Sequence, residues 1–418
     1  MDRLLTIILA GGEGKRLLPL TRERSKSAVP FGGKYRIIDF TLSNCINSGV
    51  RNIYVLTQYR SSSLSEHIQE GWGISSSGLG EFIYSIPAQQ KYGRSWYRGT
   101  ADAIRQNMDL IKDKDIDAVL ILSGDQIYKM DYRSIIEFHR KSRAHLTISA
   151  VRVQKDIAAG SLGVIGTDDT WRMTSFSEKP EQPITLANAP DYCLVSMGVY
   201  VFNANTLISI MEQELNDFGK DVIPYMLEKK NRLFIYDYEN RNKIRDYIFK
   251  VKDGFRQRML VDKTRDSDYW RDVGTVESYY DASMDLIGID PCFNLYGERW
   301  PFRTYQREMP PSKLVLGGIA QESIISDGCI ISGAHVWRSI LSPGVVIERD
   351  SSVEESIIFD DVNIEPGVRI RKAIVDKKTI IRSGVRLGYD YEADKYRGCT
   401  ISDTGIIVTP RAAIIEPV

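Results

Sequence analysis

Beyond residue 313 the sequence repeats an aliphatic side chain every six residues. Ile324, Ile330 and Val336 set the spacing. Ile340 and Val346 continue it in a shifted phase, Ser352 interrupts, Ile358, Ile364 and Ile370 resume, and Ile374 and Ile380 follow in a third phase. Glycines and small residues lie between them. A flat sandwich would show period-two alternation instead. A six-residue period is the signature of hexapeptide repeats that wind into a parallel β-helix, each turn burying its aliphatic positions against the next.

The rest of the chain has a different character. At 418 residues it is long for one core. Pro291, Pro301, Pro310 and Pro311 mark a connecting region. We therefore read 1–288 as a catalytic domain, 289–312 as a linker and 313–418 as the repeat domain. Fifty-five basic and fifty-five acidic side chains cancel, which argues against a general electrostatic binder of nucleic acid or membrane. The five cysteines stand far apart with no CxxC pair, and the four histidines show no HExxH spacing, so neither a disulfide framework nor a zinc site is expected. A reduced, cytoplasmic setting fits.

The first domain opens on an apolar run, Leu4 to Leu9, of the right length for a buried strand and too short, with charges following at once, for a signal peptide. It leads into Gly11-Gly12-Glu13-Gly14-Lys15-Arg16-Leu17. The glycines let the backbone turn and approach a ligand, and successive N–H groups in such a turn suit phosphate. The stretch is not a P-loop, since Arg16 follows Lys15, nor a dinucleotide fingerprint, whose third glycine would fall at Leu17. Lys15 and Arg16, with Lys26 ten residues on, are read as cations that neutralise a polyphosphate.

Strand and helix signals then alternate. Leu42 to Ile46 reads as helix, Asn52 to Gln58 as strand, and Ala103 to Ile111 as one amphipathic helix. Ala118-Val119-Leu120-Ile121-Leu122 reads as a strand buried on both faces. This succession predicts an open α/β sheet with helices on both sides. In such sheets ligands bind beyond the carboxyl ends of the strands, where Asp125 stands in Ser123-Gly124-Asp125-Gln126. A turn or capping aspartate is the plain alternative. Further along, Glu178 and Lys179 sit at a strand end before Pro180, and Asp272 lies in an aromatic, glycine-flanked setting.

Seven segments, in order, resemble the bacterial glucose-1-phosphate adenylyltransferase (ADP-glucose pyrophosphorylase) family. They are the glycine loop; 31–40, beginning Phe31-Gly32-Gly33-Lys34; Trp96-Tyr97-Arg98-Gly99-Thr100-Ala101-Asp102; Gly124-Asp125-Gln126-Ile127-Tyr128-Lys129; Ser177-Glu178-Lys179-Pro180; Asp217-Phe218-Gly219-Lys220-Asp221; and Tyr269-Trp270-Arg271-Asp272-Val273-Gly274-Thr275. The resemblance covers nearly the whole chain. It implies a Rossmann-like nucleotidyltransferase domain with a mixed, mostly parallel sheet, followed by a left-handed β-helix, in a homotetramer. It implies the reaction of ATP with α-D-glucose 1-phosphate to give ADP-glucose and diphosphate, the committed step toward bacterial glycogen. By the same resemblance, Arg16 and Lys26 grip the ATP phosphates, and Asp125 and Asp272 hold Mg²⁺, a metal suited to oxygen ligands. Lys179 binds the sugar phosphate. Tyr97, Gly163, Glu178 and Ser196 line the glucose site, and Gly11, Gly12, Gly14 and Gln90 lie near the adenine and phosphates. No protein nucleophile is needed, because the attacking oxygen belongs to the substrate.

Two departures from the family pattern leave its charges intact: Ser27 replaces a proline and Gln126 a histidine. Anionic effectors of the family bind basic residues between the domains, a pattern that Arg24 and Arg36 match. Glu23 and Asp113 stand where some enterobacterial members carry an activator-binding lysine and an AMP-contacting arginine, so the effector response is expected to differ from theirs. A UDP- or dTDP-glucose pyrophosphorylase, or a non-catalytic regulatory subunit on the same fold, are the alternatives.

Overall fold

The computed structural model describes residues 3–73, 80–89, 96–112, 115–252, 255–288 and 290–418. Gln90 and Asp113 lie outside the described residues.

The apolar run at the N-terminus forms the strand Leu4–Leu9 at the centre of a nine-stranded sheet. It lies between Asn52–Thr57 and Ala118–Ser123 and is parallel to both. Its alternation sorts its side chains. Leu4 and Ile8 join a core with Ile38, Leu42, Leu64 and Ile135 from three helices, while Leu5 and Ile7 join a second core with Ile104, Leu207 and Met226 from helices on the other face. Each such fully buried side chain contributes about 1.5–3 kcal/mol. The sheet is mixed, because the long strand Tyr192–Asn203 runs antiparallel to Ala118–Ser123 and Leu146–Gln154. Its register shifts between Ser196 and Tyr200, a bulge that brings Ser196 and Gly198 to the cleft described below.

One predicted element divides. The amphipathic stretch 103–111 is two short helices, Thr100–Arg105 and Asp109–Lys112. Asn107 Nδ2 donates to the Ala103 carbonyl at 2.8 Å, and the Asn107 backbone N–H turns to Ile104 instead. A side-chain amide thus replaces the backbone donor that would have continued the helix.

The C-terminal part is a left-handed β-helix of three sheets, parallel but for the strand Thr400–Ile401, which runs antiparallel to Ile407–Val408. Register partners stand sixteen or seventeen residues apart, as Ile330 with Val346 and Val346 with Asn363, except at the last coil, where Ala373 pairs with Ile407 and Ile380 with Ile414 across an inserted segment that holds the helix Tyr391–Tyr396. The inward column is Ile331, Val336, Leu341, Ile347, Val353, Ile358, Ile364, Ile370, Val375, Ile381 and Leu387, all 0% exposed. These positions follow one another in steps of five or six, which is why a strict six-residue reading changes phase. It also corrects the frame at several positions. Ile330 is 39% exposed and Ile324, Val346 and Ile380 are half-buried, while their neighbours Ile331, Ile347 and Ile381 turn inward.

Ile340, Ile357 and Ile374 point out of the β-helix and are buried for another reason. They pack against Phe31, Phe40, Tyr279, Phe293, Trp300 and Phe302 in a core shared with the first domain and the connecting segment. Tyr280 donates its hydroxyl to the Glu355 carbonyl at 2.6 Å, and Arg24 pairs with Asp376 across the same boundary at 2.8 Å.

Candidate active site

The parallel strands Leu4–Leu9, Asn52–Thr57 and Ala118–Ser123 all end at one cleft of about 560 Å³. Its position beyond the carboxyl ends of the strands is where open α/β sheets take ligands. Gly11, Gly12, Arg16, Lys26, Tyr97, Asp125, Gly163, Glu178, Lys179, Ser196 and Asp272 all line it. Gly14 does not. Held at φ +69, it turns the loop, and a Cβ there would lie 3.1 Å from Lys26 Cβ. Lys15 pairs with Glu13 at 3.2 Å and is also absent from the lining.

At one end of the cleft three charges meet. Lys26 Nζ lies 2.9 Å from Asp125 Oδ2 and 2.8 Å from Asp272 Oδ1. Ser123 donates its hydroxyl to Asp125 Oδ1. Burial works against charge on both Lys26 and Asp125, but their mutual attraction outweighs it. The lysine pKa is raised above its ordinary value, and the aspartate pKa is lowered. Both stay ionised at neutral pH. Arg16 is exposed in the cleft, and Gly274 leaves it room, since a Cβ there would stand 3.1 Å from the guanidinium. The donor set suits a hard divalent cation: two carboxylates beside phosphate-directed cations, open to the cleft.

At the other end the carboxylate of Glu178 sits against Gly219, where any Cβ would collide with it. Burial pushes the Glu178 pKa up; Lys179, whose ammonium is 3.7 Å away, opposes the shift. Ser196 donates to the Tyr200 hydroxyl at 3.3 Å. Tyr97 is fixed from both sides: its hydroxyl accepts from Asn107 Nδ2 at 2.8 Å and its backbone N–H donates to Gln58 Oε1 at 3.0 Å.

The sequence reading assigned no role to Gln58, Thr100 or Asp217, which also line the cleft. Thr100 Oγ1 donates to Asp217 Oδ2 at 3.1 Å, and Asp217 Oδ1 accepts from the backbone of Gly219 and Lys220. This aspartate ties the loop before residue 100 to the turn that faces Glu178. Its segment was among the seven quoted, so the signal was present without a function attached to it.

Arg24 and Arg36 lie away from the cleft. The Arg24 guanidinium is 4% exposed and bound to Asp376, with Nη1 buried and unpartnered among the described residues. Arg36 donates to the Ser63 carbonyl, and burial lowers its pKa. Glu23 pairs with Arg411 at 3.0 Å. All five cysteines are free, and among the described residues no helix is long and apolar enough to cross a membrane.

Comparison with known proteins agrees with this geometry. The nucleotidyl transferase family profile matches residues 5–288, and the GlmU-like C-terminal hexapeptide profile matches 310–409. A glucose-1-phosphate adenylyltransferase of Rhodopirellula baltica is 43% identical over 99% of this chain and 91% of its own length. Those of Anaeromyxobacter sp. (43% identical, 100% of both chains) and Trichlorobacter lovleyi (44% identical, 97% of both) are similar throughout.

Proposed function

The chain belongs to the glucose-1-phosphate adenylyltransferase family, and on that footing we propose that it transfers the adenylyl group of ATP to α-D-glucose 1-phosphate, giving ADP-glucose and diphosphate. The observation that carries the reading is a single cleft with a lysine and two carboxylates at one end and a carboxylate–lysine pair at the other. That is an arrangement for two anionic substrates held side by side.

A phosphate oxygen of the sugar phosphate attacks the α-phosphorus of ATP. The bond from that phosphorus to the β-phosphate's bridging oxygen breaks, and diphosphate leaves. The reactants together carry about six negative charges, so catalysis is chiefly positioning and neutralisation. Arg16 and Lys26 meet the nucleotide phosphates, with the backbone of Gly11 and Gly12 beside them. Lys179 meets the phosphate of the sugar. Glu178 accepts hydrogen bonds from sugar hydroxyls, and Ser196, Tyr97 and Gly163 complete that wall. Asp125 and Asp272 would hold Mg²⁺, which when bound supplies further neutralisation of the phosphate oxygens.

We further propose, in keeping with the family, a homotetramer acting in the cytoplasm at the entry to glycogen synthesis. Anionic effectors are proposed to reach the boundary near Arg24 and Arg36. Because Glu23 there is acidic and paired with Arg411, strong activation by fructose 1,6-bisphosphate in steady-state kinetics would contradict our expectation of a distinct response.

The test is diphosphate release from the purified protein with Mg²⁺, glucose 1-phosphate and ATP, UTP, dTTP or GTP in turn. Release with ATP alone is expected. Preference for UTP or dTTP would keep the fold and reassign the substrate; no release with any nucleotide, effectors included, would favour a regulatory subunit.

A further inference from the structure

We infer that, before nucleotide binds, Lys26 occupies the cation position between Asp125 and Asp272, so that a divalent metal binds well only when nucleotide phosphates draw the lysine away. This rests on the proposed role of the two aspartates as metal ligands.

The carboxylate oxygens are largely taken. Asp125 Oδ2 and Asp272 Oδ1 both face the ammonium, and Asp125 Oδ1 accepts from Ser123. Asp272 Oδ2 alone has no hydrogen bond among the described residues. A metal ion arriving by itself therefore meets one uncommitted oxygen and a positive charge already in place. The competitor is tethered, so its local concentration far exceeds that of a free ion. Access differs too. The side chain of Lys26 is 9% exposed, whereas those of Asp125 and Asp272 are 32% and 24% exposed. The lysine enters from the protein side, and the carboxylates face the cleft.

Nucleotide changes the balance. Its phosphates offer the ammonium new oxygens nearby, and once Lys26 turns to them, both carboxylates are free for the metal. One residue then serves two stations: internal counter-ion before nucleotide binds and phosphate ligand afterwards. The consequence is order. Metal and nucleotide bind cooperatively, and metal alone binds poorly.

The experiment measures Mn²⁺ retained with the full-length protein after ultrafiltration, so that Mn²⁺ chelated by free ATP passes through and is not counted. It compares the natural protein, Lys26→Met and Lys26→Arg, without nucleotide and with ATP but no sugar phosphate. Lys26→Met is expected to bind Mn²⁺ without nucleotide by about tenfold or more tighter than the natural protein, from the loss of a cation in contact with both carboxylates. Lys26→Arg, which keeps the cation, is expected to behave as the natural protein does. Equal affinity in all three without nucleotide would overturn the inference and leave the metal reading standing. No Mn²⁺ retained by the natural protein even with ATP would overturn both. If Lys26→Met does not fold, acylation of Lys26 in the natural protein, read by mass spectrometry, gives the same answer. Mn²⁺ alone should leave its labelling rate unchanged, and an increase with Mn²⁺ alone would contradict the inference.

Discussion

The cleft and the β-helix are assembled in opposite ways. The side chains that fill the β-helix come from positions sixteen or seventeen residues apart, and each coil repeats the one before it until the insertion ahead of the last. The charged groups of the cleft come from residues 26, 125 and 272, the outer pair 246 residues apart, and nothing repeats. The difference teaches where stability and chemistry are kept. The β-helix has no charge in its inward column and nothing to react; the cleft holds three ionised groups at contact distance and leaves them open to ligand.

Four experiments can break or sharpen that division. Asp272→Asn should lower kcat/KM by about a thousandfold, a loss of the size seen when one transition-state contact is removed. It should cost less unfolding stability than the β-helix substitution that follows, because Lys26 keeps its contact with Asp125. Kinetics and a denaturant titration on one preparation check both, and a large loss of stability would blur the contrast. Ile364→Ala should do the reverse. Its side chain is 0% exposed in the inward column, so removal should cost about 3 kcal/mol of stability with kcat/KM of the folded protein unchanged.

Acid should distinguish the two regions as well. His139 lies in the first domain, 5% exposed, its Nδ1 2.9 Å from Thr147 Oγ1, and burial pushes its pKa down to about 4. Between pH 6.5 and 4 the unfolded chain binds a proton there that the folded chain refuses. The stabilising contribution is thus complete above 6.5 and declines by about 3 kcal/mol as the pH falls to 4. His139→Gln should flatten that part of the stability profile. The inward column of the β-helix is Ile, Val and Leu throughout and holds no titratable group that could give such a slope. The smallest effect is expected at a corner of the β-helix. Gly384 has φ +77 with open space where a Cβ would go, so Gly384→Ala costs backbone strain alone, about 1 kcal/mol.

The same contrast explains what could be read from the sequence. Local periodicity reveals the β-helix and the central strands, because each residue's environment is set by near neighbours. It mistakes the frame at Ile330 and Ile380, since both members of an Ile-Ile pair are apolar and only the coil geometry decides which turns inward. It misses the break at Asn107, which depends on one side chain reaching one carbonyl. The meeting of Lys26 with Asp125 and Asp272 carries no periodic signal at all. Asp125 was legible from its place at a strand's carboxyl end and Lys26 from its nearness to the glycine loop, but that they meet was not, and the pairing of Arg24 with Asp376, 352 residues away, was not legible in any form.

The central claim is direct transfer from ATP to a sugar phosphate, with no protein nucleophile. Exchange of labelled diphosphate into ATP tests it most directly, with ADP-glucose present and absent. Our account expects label to enter ATP only when ADP-glucose is supplied, because only the nucleotide sugar can return an adenylyl group. Label entering ATP without any sugar nucleotide would reveal a covalent adenylyl-protein. No exchange under either condition would contradict the adenylyltransferase reading itself.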